Sequence, residues 1–245
     1  MNDGPTVRCV TWNVHRAKGT DGVRDPSRIE NLIATDIAAE QPDILALQEA
    51  DEECRPHERI LDIEKIAKST GLVYVHDTPD LRWGDDSDGF LGTILFLSPS
   101  FERRQADVID LPGHCHRGAI VVEARVQDQA VRIISTHLSL SQPLRIVQMR
   151  IVGQYLRRRP EMPTIFLGDF NEWRPWGGLM FNSRIVGTRF SGPVRGSFPS
   201  KRPLLPLDRI LADRGATVSE VRSLASEETR NASDHLPIFG QVTLL

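Results

Sequence analysis

One arrangement constrains this chain more than any other, because it occurs twice: a strand with polar residues at its end, a helix, a proline, and a buried-type strand that also ends in polar residues. In the first copy Thr6 to Val14 is rich in β-formers and ends near Asn13, His15 and Arg16. Asp25-Pro26 then supplies a helix cap and first-turn proline, and Ile29, Leu32, Ile33 and Ile37 recur at helical spacing up to Gln41-Pro42. Asp43 to Glu49 is a buried-type strand ending in a carboxylate. In the second copy a strand from Val131 ends in Ser135-Thr136-His137-Leu138, and a helix from about Leu144 to Arg158 follows, with Leu144, Val147, Ile151 and Tyr155 as its apolar stripe. Pro160 and Pro163 lead into the strand Thr164 to Asn171. Two such units predict two sheets face to face with helices outside, and a cleft where the strand ends converge.

The last of these strands sets the chemistry. Residues two apart on a strand face the same side, so Asp169 and Asn171 are presented together to one pocket while Phe170 turns into the core. An ordinary Asp-containing turn would give the same local pattern. What weighs against it is that the other strands end in the same manner, in Asn13, Glu49 and His137.

Elsewhere the pattern predicts a helix over about Ile60 to Thr70 capped by Gly71, a strand from Leu72 to His76, Thr93 to Ser98, Ala119 to Val126 and Val131 to Leu138 as strands of a meander or sandwich edge, and strands Leu207 to Leu211, Thr217 to Leu224 and Ile238 to Leu244. Trp83 to Gly89 reads as a solvated polar loop; the spacing and closing Glu of a calcium-binding EF-hand are missing. All 245 residues are expected to form a single domain. No basic-then-apolar leader and no apolar stretch of spanning length occurs, so the expectation is a cytoplasmic protein without a transmembrane segment. Cys9, Cys54 and Cys115 are an odd number without CxxC spacing, which suits a reduced compartment. His114-Cys115-His116 is read as a loop and not as a zinc site, since neighbours on an extended segment point apart.

Charge is unevenly placed. Between Arg157 and Arg209 there are ten basic and four acidic residues in a chain of net charge −3. That polarity favours a phosphate-bearing substrate near the second half of the chain, although Arg157 to Arg159 also simply close a helix.

Asn13, Glu49, His137, Asp169, Asn171, Asp208, Asp234 and His235 make up a hard-oxygen set with two histidines and no thiolate. Such a set suits Mg²⁺ or Mn²⁺ at a phosphate better than structural zinc. An Asp paired to a His, as Asp208 would be to His235, orients the ring and favours its charged form. A nucleophile elbow, a phosphate-binding glycine loop, a dinucleotide fingerprint and a zincin motif are all missing.

Six segments in order, Trp12-Asn13-Val14, Leu47-Gln48-Glu49, Ser135-Thr136-His137-Leu138, Gly168-Asp169-Phe170-Asn171, Leu207-Asp208-Arg209-Ile210 and Ser233-Asp234-His235-Leu236-Pro237, resemble the motif set of the endonuclease/exonuclease/phosphatase superfamily, whose fold is DNase I-like. The resemblance implies a four-layer α/β sandwich, two mixed β-sheets face to face with helices outside, and metal-dependent hydrolysis of a phosphate ester by an activated water. By position it makes Glu49 the principal metal ligand with Asn13 beside it, and Asp234 a support or second-metal ligand. Asp169 would position or activate water, Asn171 would hold a phosphoryl oxygen, and His235, oriented by Asp208, would contact the phosphate or act as base. His137 would contact the phosphate or leaving oxygen. Substrate-side candidates are His15, Arg117, Trp173 and Arg174, with the Trp173-Arg174-Pro175-Trp176 segment expected to line the cleft or to cap the core.

His15 departs from the abasic-site repair branch, which usually has an acid there. The expected substrate is therefore a small or lipid-derived phosphodiester acted on by a monomer. A DNA or RNA nuclease is the rival, and a non-catalytic phosphate-binding module the third class.

Overall fold

The computed structural model describes residues 4–53, 55–113 and 117–245. Cys54 and the His114-Cys115-His116 motif fall outside the described residues. The strands are β1 (Thr6–Asn13), β2 (Ile44–Gln48), β3 (Val73–Tyr74), β4 (Ile94–Leu97), β5 (Glu102–Leu111), β6 (Arg117–Val126), β7 (Gln129–His137), β8 (Thr164–Asp169), β9 (Asp208–Asp213), β10 (Ala216–Ser223) and β11 (Ile238–Leu244). The α-helices are α1 (Pro26–Leu32), α2 (Ile63–Thr70), α3 (Gln142–Arg157), α4 (Ser183–Val186) and α5 (Glu227–Ala232).

They build two mixed sheets, one of six strands in the order β10-β11-β1-β2-β4-β3 and one of five in the order β5-β6-β7-β8-β9. Each sheet contains one parallel pair, β1 with β2 and β7 with β8, and each pair is bridged by a helix. These are the two repeated units of the sequence, and the architecture is the four-layer DNase I-like sandwich.

Period-2 alternation explains the layering. Cys9, Ile44 and Ala46 from the first sheet meet Ile133, Ile165, Leu167 and Ile210 from the second in the central core. Their neighbours Val10, Trp12, Leu45 and Leu47 turn outward and bury Ile29, Ile33 and Ile37 of the first crossover helix. Each such isoleucine contributes roughly 1.5–3 kcal/mol when wholly withdrawn from water. On the far side Ile134, Phe166, Phe170 and Leu211 pack on Met149 and Val152 of α3.

Local chemistry sets the helix ends. Asp25 accepts from Arg28 N–H and places Pro26 in the first turn of α1, which continues through a wider π-type turn over Ile33–Ile37. Asp62 caps α2, and Gly71 ends it in the left-handed conformation (φ 71°).

Three expectations are corrected, and one strand was missed. The buried face of α3 is Arg145, Gln148, Met149 and Val152, whereas Val147 is exposed. That face tolerates polar groups because the Gln148 amide bonds Ser139 N–H and Pro112 O (2.9 and 2.8 Å). β5 gave no sequence signal because it is a half-exposed edge strand. β4 joins the first sheet, so the meander is β5-β6-β7. The Trp83 to Gly89 loop is not wholly solvated, since Ser87 is buried and its hydroxyl donates to Asp51.

Among the described residues no helix is long and apolar enough to cross a membrane.

Candidate active site

Asn13, His137, Asp169 and Asp208 sit at strand ends, on the inward face that lower down forms the central core. Asn13 is the register partner of Gln48, which puts Glu49 one residue beyond the end of β2. His137 lies opposite Asp169 across the parallel β7–β8 pair, and Asp169 opposite Asp208 across the antiparallel β8–β9 pair. Between core and cleft lies a polar step in which Thr11 donates to Gln48 (3.1 Å) and Gln48 reaches Ser135 across the sheets (3.4 Å).

His235 comes from the segment before β11. Because β11 runs antiparallel to β1, that segment passes over the end of β1 and is fastened there. Trp12 Nε1 donates to His235 O (3.0 Å), and the Ser233 hydroxyl donates to Asn13 O (2.8 Å) while accepting from His235 N–H (3.1 Å).

The backbone turns sharply at these ends. Glu49 and Asn171 both have φ 51°, and His15 and Arg16 have φ 47° and 52°, the left-handed region. Such conformations cost about 1 kcal/mol or more for non-glycine residues and collect at functional sites. Gly168 (φ 137°) answers a harder constraint, since a Cβ there would stand 2.0 Å from Thr136 O in the neighbouring strand.

The groups converge on one another. Asn13 Nδ2 donates to Asp169 Oδ2 (3.0 Å) and to Glu49 Oε1 (3.2 Å), tying the carboxylates of the two units together. His137 Nε2 lies 3.6 Å from Asp169 Oδ2 and 3.8 Å from Glu49 Oε1. Asn171 N–H donates to Asp169 Oδ1 (2.8 Å). His235 Nδ1 is 2.7 Å from Asp208 Oδ2, leaving Nε2 4.0 Å from Asp169 Oδ2. Of these, Glu49, His137, Asp169, Asn171 and His235 line a cleft with a volume of about 320 Å³.

Electrostatics divides the roles. Burial alone would lower the His235 imidazole, but the charge and hydrogen bond of Asp208, with Asp169 and Asp234 adding, carry it up to about 10. That ring is a cation at neutral pH. Burial holds His137 well below the usual range, and the charges of Arg117, His235 and Arg16 push the same way, so this ring is neutral. Burial and then the charge of Asp208 raise the Asp169 carboxyl, while His235, the Asn13 amide and Asn171 N–H pull it back only in part.

A raised carboxyl beside three further acids marks a site short of positive charge. Asp208 Oδ1 and Asp234 Oδ1 are buried atoms without a hydrogen-bond partner. The donors are hard oxygens with a neutral imidazole, so these residues fit a divalent cation of the magnesium class. Among the described residues, the three-member group of metal-type side chains whose donor atoms lie within 4.8 Å of one another is Asp169, Asp208 and His235. Two of its members are already committed to each other as an ion pair.

Not every candidate sits where the sequence placed it. Asn13 spends its amide on the two carboxylates and its Oδ1 on His15 N–H (3.0 Å), so it braces the site and does not offer an oxygen ligand. Asp234 lines the cleft but faces His15 Nδ1 (3.5 Å) and not Glu49. Asn171 is on the cleft wall with one amide hydrogen on Leu138 O (2.8 Å), leaving the other free to face a ligand. His15 and Arg117 line the cleft, whereas Trp173 and Arg174 do not. Arg174 is held on Glu172 (2.7 Å to each carboxylate oxygen), and the Trp173 ring is exposed beneath its guanidinium.

The sequence reading assigned no role to Arg16, whose guanidinium pairs with Glu49 and with Glu53 (3.3 Å). Its place in the polar group after β1 was the available signal. Phe198 was missed as well: its ring lies 5.0 Å from that of His235.

A sequence profile described as "Endonuclease/Exonuclease/phosphatase family" matches residues 10–235. No curated protein matches the chain in sequence. The fold is similar to an endonuclease/exonuclease/phosphatase from Beutenbergia cavernae (TM-score 0.66, 21% identity, covering 98% of this chain and 72% of that one). It is also similar to one from Bacteroides vulgatus (0.77, 15%, 98% and 100%). A third similar structure is TDP2 of D. rerio, crystallised with a single-strand DNA product (0.68, 18%, 97% and 98%).

Proposed function

Because the chain belongs to the Endonuclease/Exonuclease/phosphatase family, we propose that it is a divalent-metal-dependent phosphodiesterase that hydrolyses a small or lipid-derived phosphodiester with an activated water. The observation that carries this reading is the His235–Asp208 pair at 2.7 Å, which aims a cationic ring edge at a carboxylate 4.0 Å away, Asp169.

Asp169 takes the proton of the attacking water. Its Oδ1 is fixed by Asn171 N–H and its Oδ2 faces the cleft, and its raised proton affinity makes it a stronger base than an ordinary carboxylate. His235 Nε2–H donates to a non-bridging phosphoryl oxygen as negative charge builds there, with Asp208 holding the ring in its charged form. The free amide hydrogen of Asn171 serves a second such oxygen, and neutral His137 orients toward the leaving oxygen. The P–O ester bond breaks as the water oxygen bonds to phosphorus, and the leaving oxygen takes its proton from solvent.

Glu49 would hold Mg²⁺ or Mn²⁺, with Asn13 bracing it and Asp234 on the opposite rim. When bound, the ion would stabilise negative charge on the phosphoryl group. The whole chain acts as one catalytic domain and as a monomer, in a reducing compartment such as the cytoplasm, where its odd cysteines need no partners.

A nuclease is the second reading, favoured by the similarity to TDP2 with its single-strand DNA product. The deciding experiment is a Mg²⁺-supplied panel of bis-aryl phosphodiester, phospholipids, sugar phosphates, and duplex, single-strand and abasic DNA, with and without chelator. Hydrolysis that survives chelator would remove the metal, and robust cleavage of plain DNA would replace the small diester by a polynucleotide.

A further inference from the structure

Residues 173–207 contain six cations and no acid. The same segment holds five of the ten exposed large apolar side chains among the described residues, including Trp173 (54%), Trp176 (74%), Leu179 (55%) and Leu204 (65%); a sixth, Leu140 (78%), lines the cleft. Solvent-exposed apolar side chains scattered singly need no explanation, but a group of them around one opening does.

Backbone and side-chain bonds join this group to the wall of the cleft. The segment leaves the cleft at Asn171, touches it again at Phe198 and returns to it at Leu207. Leu204 is hydrogen-bonded back onto Phe198 O (3.0 Å), with exposed Lys201 and Arg202 on the same turn. Arg145 joins the Leu140 loop to the start of the segment by donating to Leu140 O (2.6 Å) and Glu172 (3.4 Å). Arg209 ties Pro175, next to Trp176, to β9 (3.3 Å).

We propose that this rim is a docking surface for an anionic lipid bilayer, which it seats over the cleft. Charge complementarity selects the partner, because an acid-free cationic segment is drawn to a negative surface. The apolar side chains select a membrane over a nucleic acid. A strand of bases would reward the two tryptophans by stacking, but it offers nothing to Leu140, Leu179, Leu204 and Leu205, which have no π-face. Leucines gain only on entering an apolar phase, and tryptophans settle at the boundary between head groups and acyl chains. A protein partner seated on this rim would stopper the cleft, whereas a bilayer would bring phosphodiester head groups to it. The inference deepens the phosphodiesterase reading by choosing lipid-borne diesters, yet the docking itself can be read without turnover.

The test is co-sedimentation of the full chain, kept in chelator, with phosphatidylglycerol–phosphatidylcholine vesicles and with pure phosphatidylcholine vesicles. The expected result is binding to the anionic vesicles at least about tenfold tighter than to the zwitterionic ones. Trp176→Ala combined with Leu204→Ala should weaken binding by about tenfold or more. That variant should turn over a soluble bis-aryl phosphodiester at the unaltered rate, since both side chains are exposed and neither lines the cleft. Lys201→Gln with Arg202→Gln should erase the preference for anionic vesicles. Failure to sediment with anionic vesicles, an unaltered affinity in the Trp176/Leu204 variant, or displacement from vesicles by a single-strand oligonucleotide would each overturn the proposal. Vesicle binding by a protein that hydrolyses no diester leaves the docking surface standing and removes the phosphodiesterase; soluble turnover without vesicle binding does the reverse.

Discussion

His76 makes the sharpest link between a buried contact and a bulk measurement. Its ring is fully buried, with Nδ1 2.7 Å from Leu81 O and Nε2 accepting from Leu95 N–H at 3.2 Å. Those partners require the neutral tautomer with its hydrogen on Nδ1, and a proton on Nε2 would set two N–H groups against each other. Burial, helped by the charges of Arg82 and Arg103 and opposed by the Leu81 bond and Asp77, pushes the imidazole down to about 4. The sign follows from linkage. Above the unfolded-state value of about 6.5 both states are neutral and nothing is lost. Below it the unfolded chain binds the proton first, so stability falls as pH drops and the loss is complete only below the folded value. The 2.5-unit gap is worth about 3 kcal/mol in full, of which about 2 kcal/mol is already lost at pH 5. Urea unfolding of the native chain and of His76→Gln at pH 8, 6.5 and 5 isolates this group. The buried carboxyls Asp51 and Asp169, raised by burial, act in the opposite direction but are common to both proteins. The stability difference between the two proteins should shift by about 2 kcal/mol between pH 8 and pH 5. Parallel pH curves would refute the reasoning, whatever constant offset the substitution introduces.

The site carries three further expectations. Asp169→Asn should lower kcat by about 10²–10⁴ while raising the Tm, because a carboxyl raised by burial destabilises the fold when ionised at neutral pH; kinetics with calorimetry reads both, and a lower Tm would contradict the electrostatic argument. Asp208→Asn deprives a buried cation of its partner, so the alkaline limb of the pH–rate profile should move from near pH 10 toward acid by about two units or more, and an unmoved limb would mean that His235 does not titrate in turnover. Gly168→Ala forces a methyl group to within 2.0 Å of Thr136 O at φ 137° and should cost roughly 3 kcal/mol in a denaturant melt by parting β7 from β8.

Much of the layering was legible because parallel strands covered on both faces must be continuous apolar runs, and Ile44–Gln48 and Thr164–Asp169 are such runs. The site was legible for the same reason. Asn13, His137, Asp169 and Asp208 continue the inward period of the residues that fill the central core, so the alternation that buries Ile165 and Leu167 also delivers Asp169. What escaped was structure whose stability comes from partners and not from pattern. α3 buries Arg145 and Gln148, which a hydrophobicity count assigns to solvent, because Glu172, Ser139 and Pro112 receive them. β5 is polar along one edge, and α5 is too short and too polar to carry a stripe. Arg16 lay in view beside Asn13, but its pairing with Glu49 depends on a left-handed turn that no spacing rule predicts.

The division between legible and illegible parts is also a division of labour. Asp169, His137 and Asp208 are fixed by strand register: moving one relative to another would require slipping a ladder that buries a core, so that geometry is expensive to alter. The side chains proposed to dock lie on the long connection between Asn171 and Leu207, whose only helices are one turn each and which touches the cleft at only a few points. Substitutions there leave the ladders intact. A Trp176 or Leu204 replacement can therefore change what is presented to the cleft without changing what the cleft does, and the chemistry of Asp169 and His235 alone cannot name the substrate. Under the proposed docking the rim names it, because residues 173–207 carry no acid and expose leucines that stacked bases would not reward.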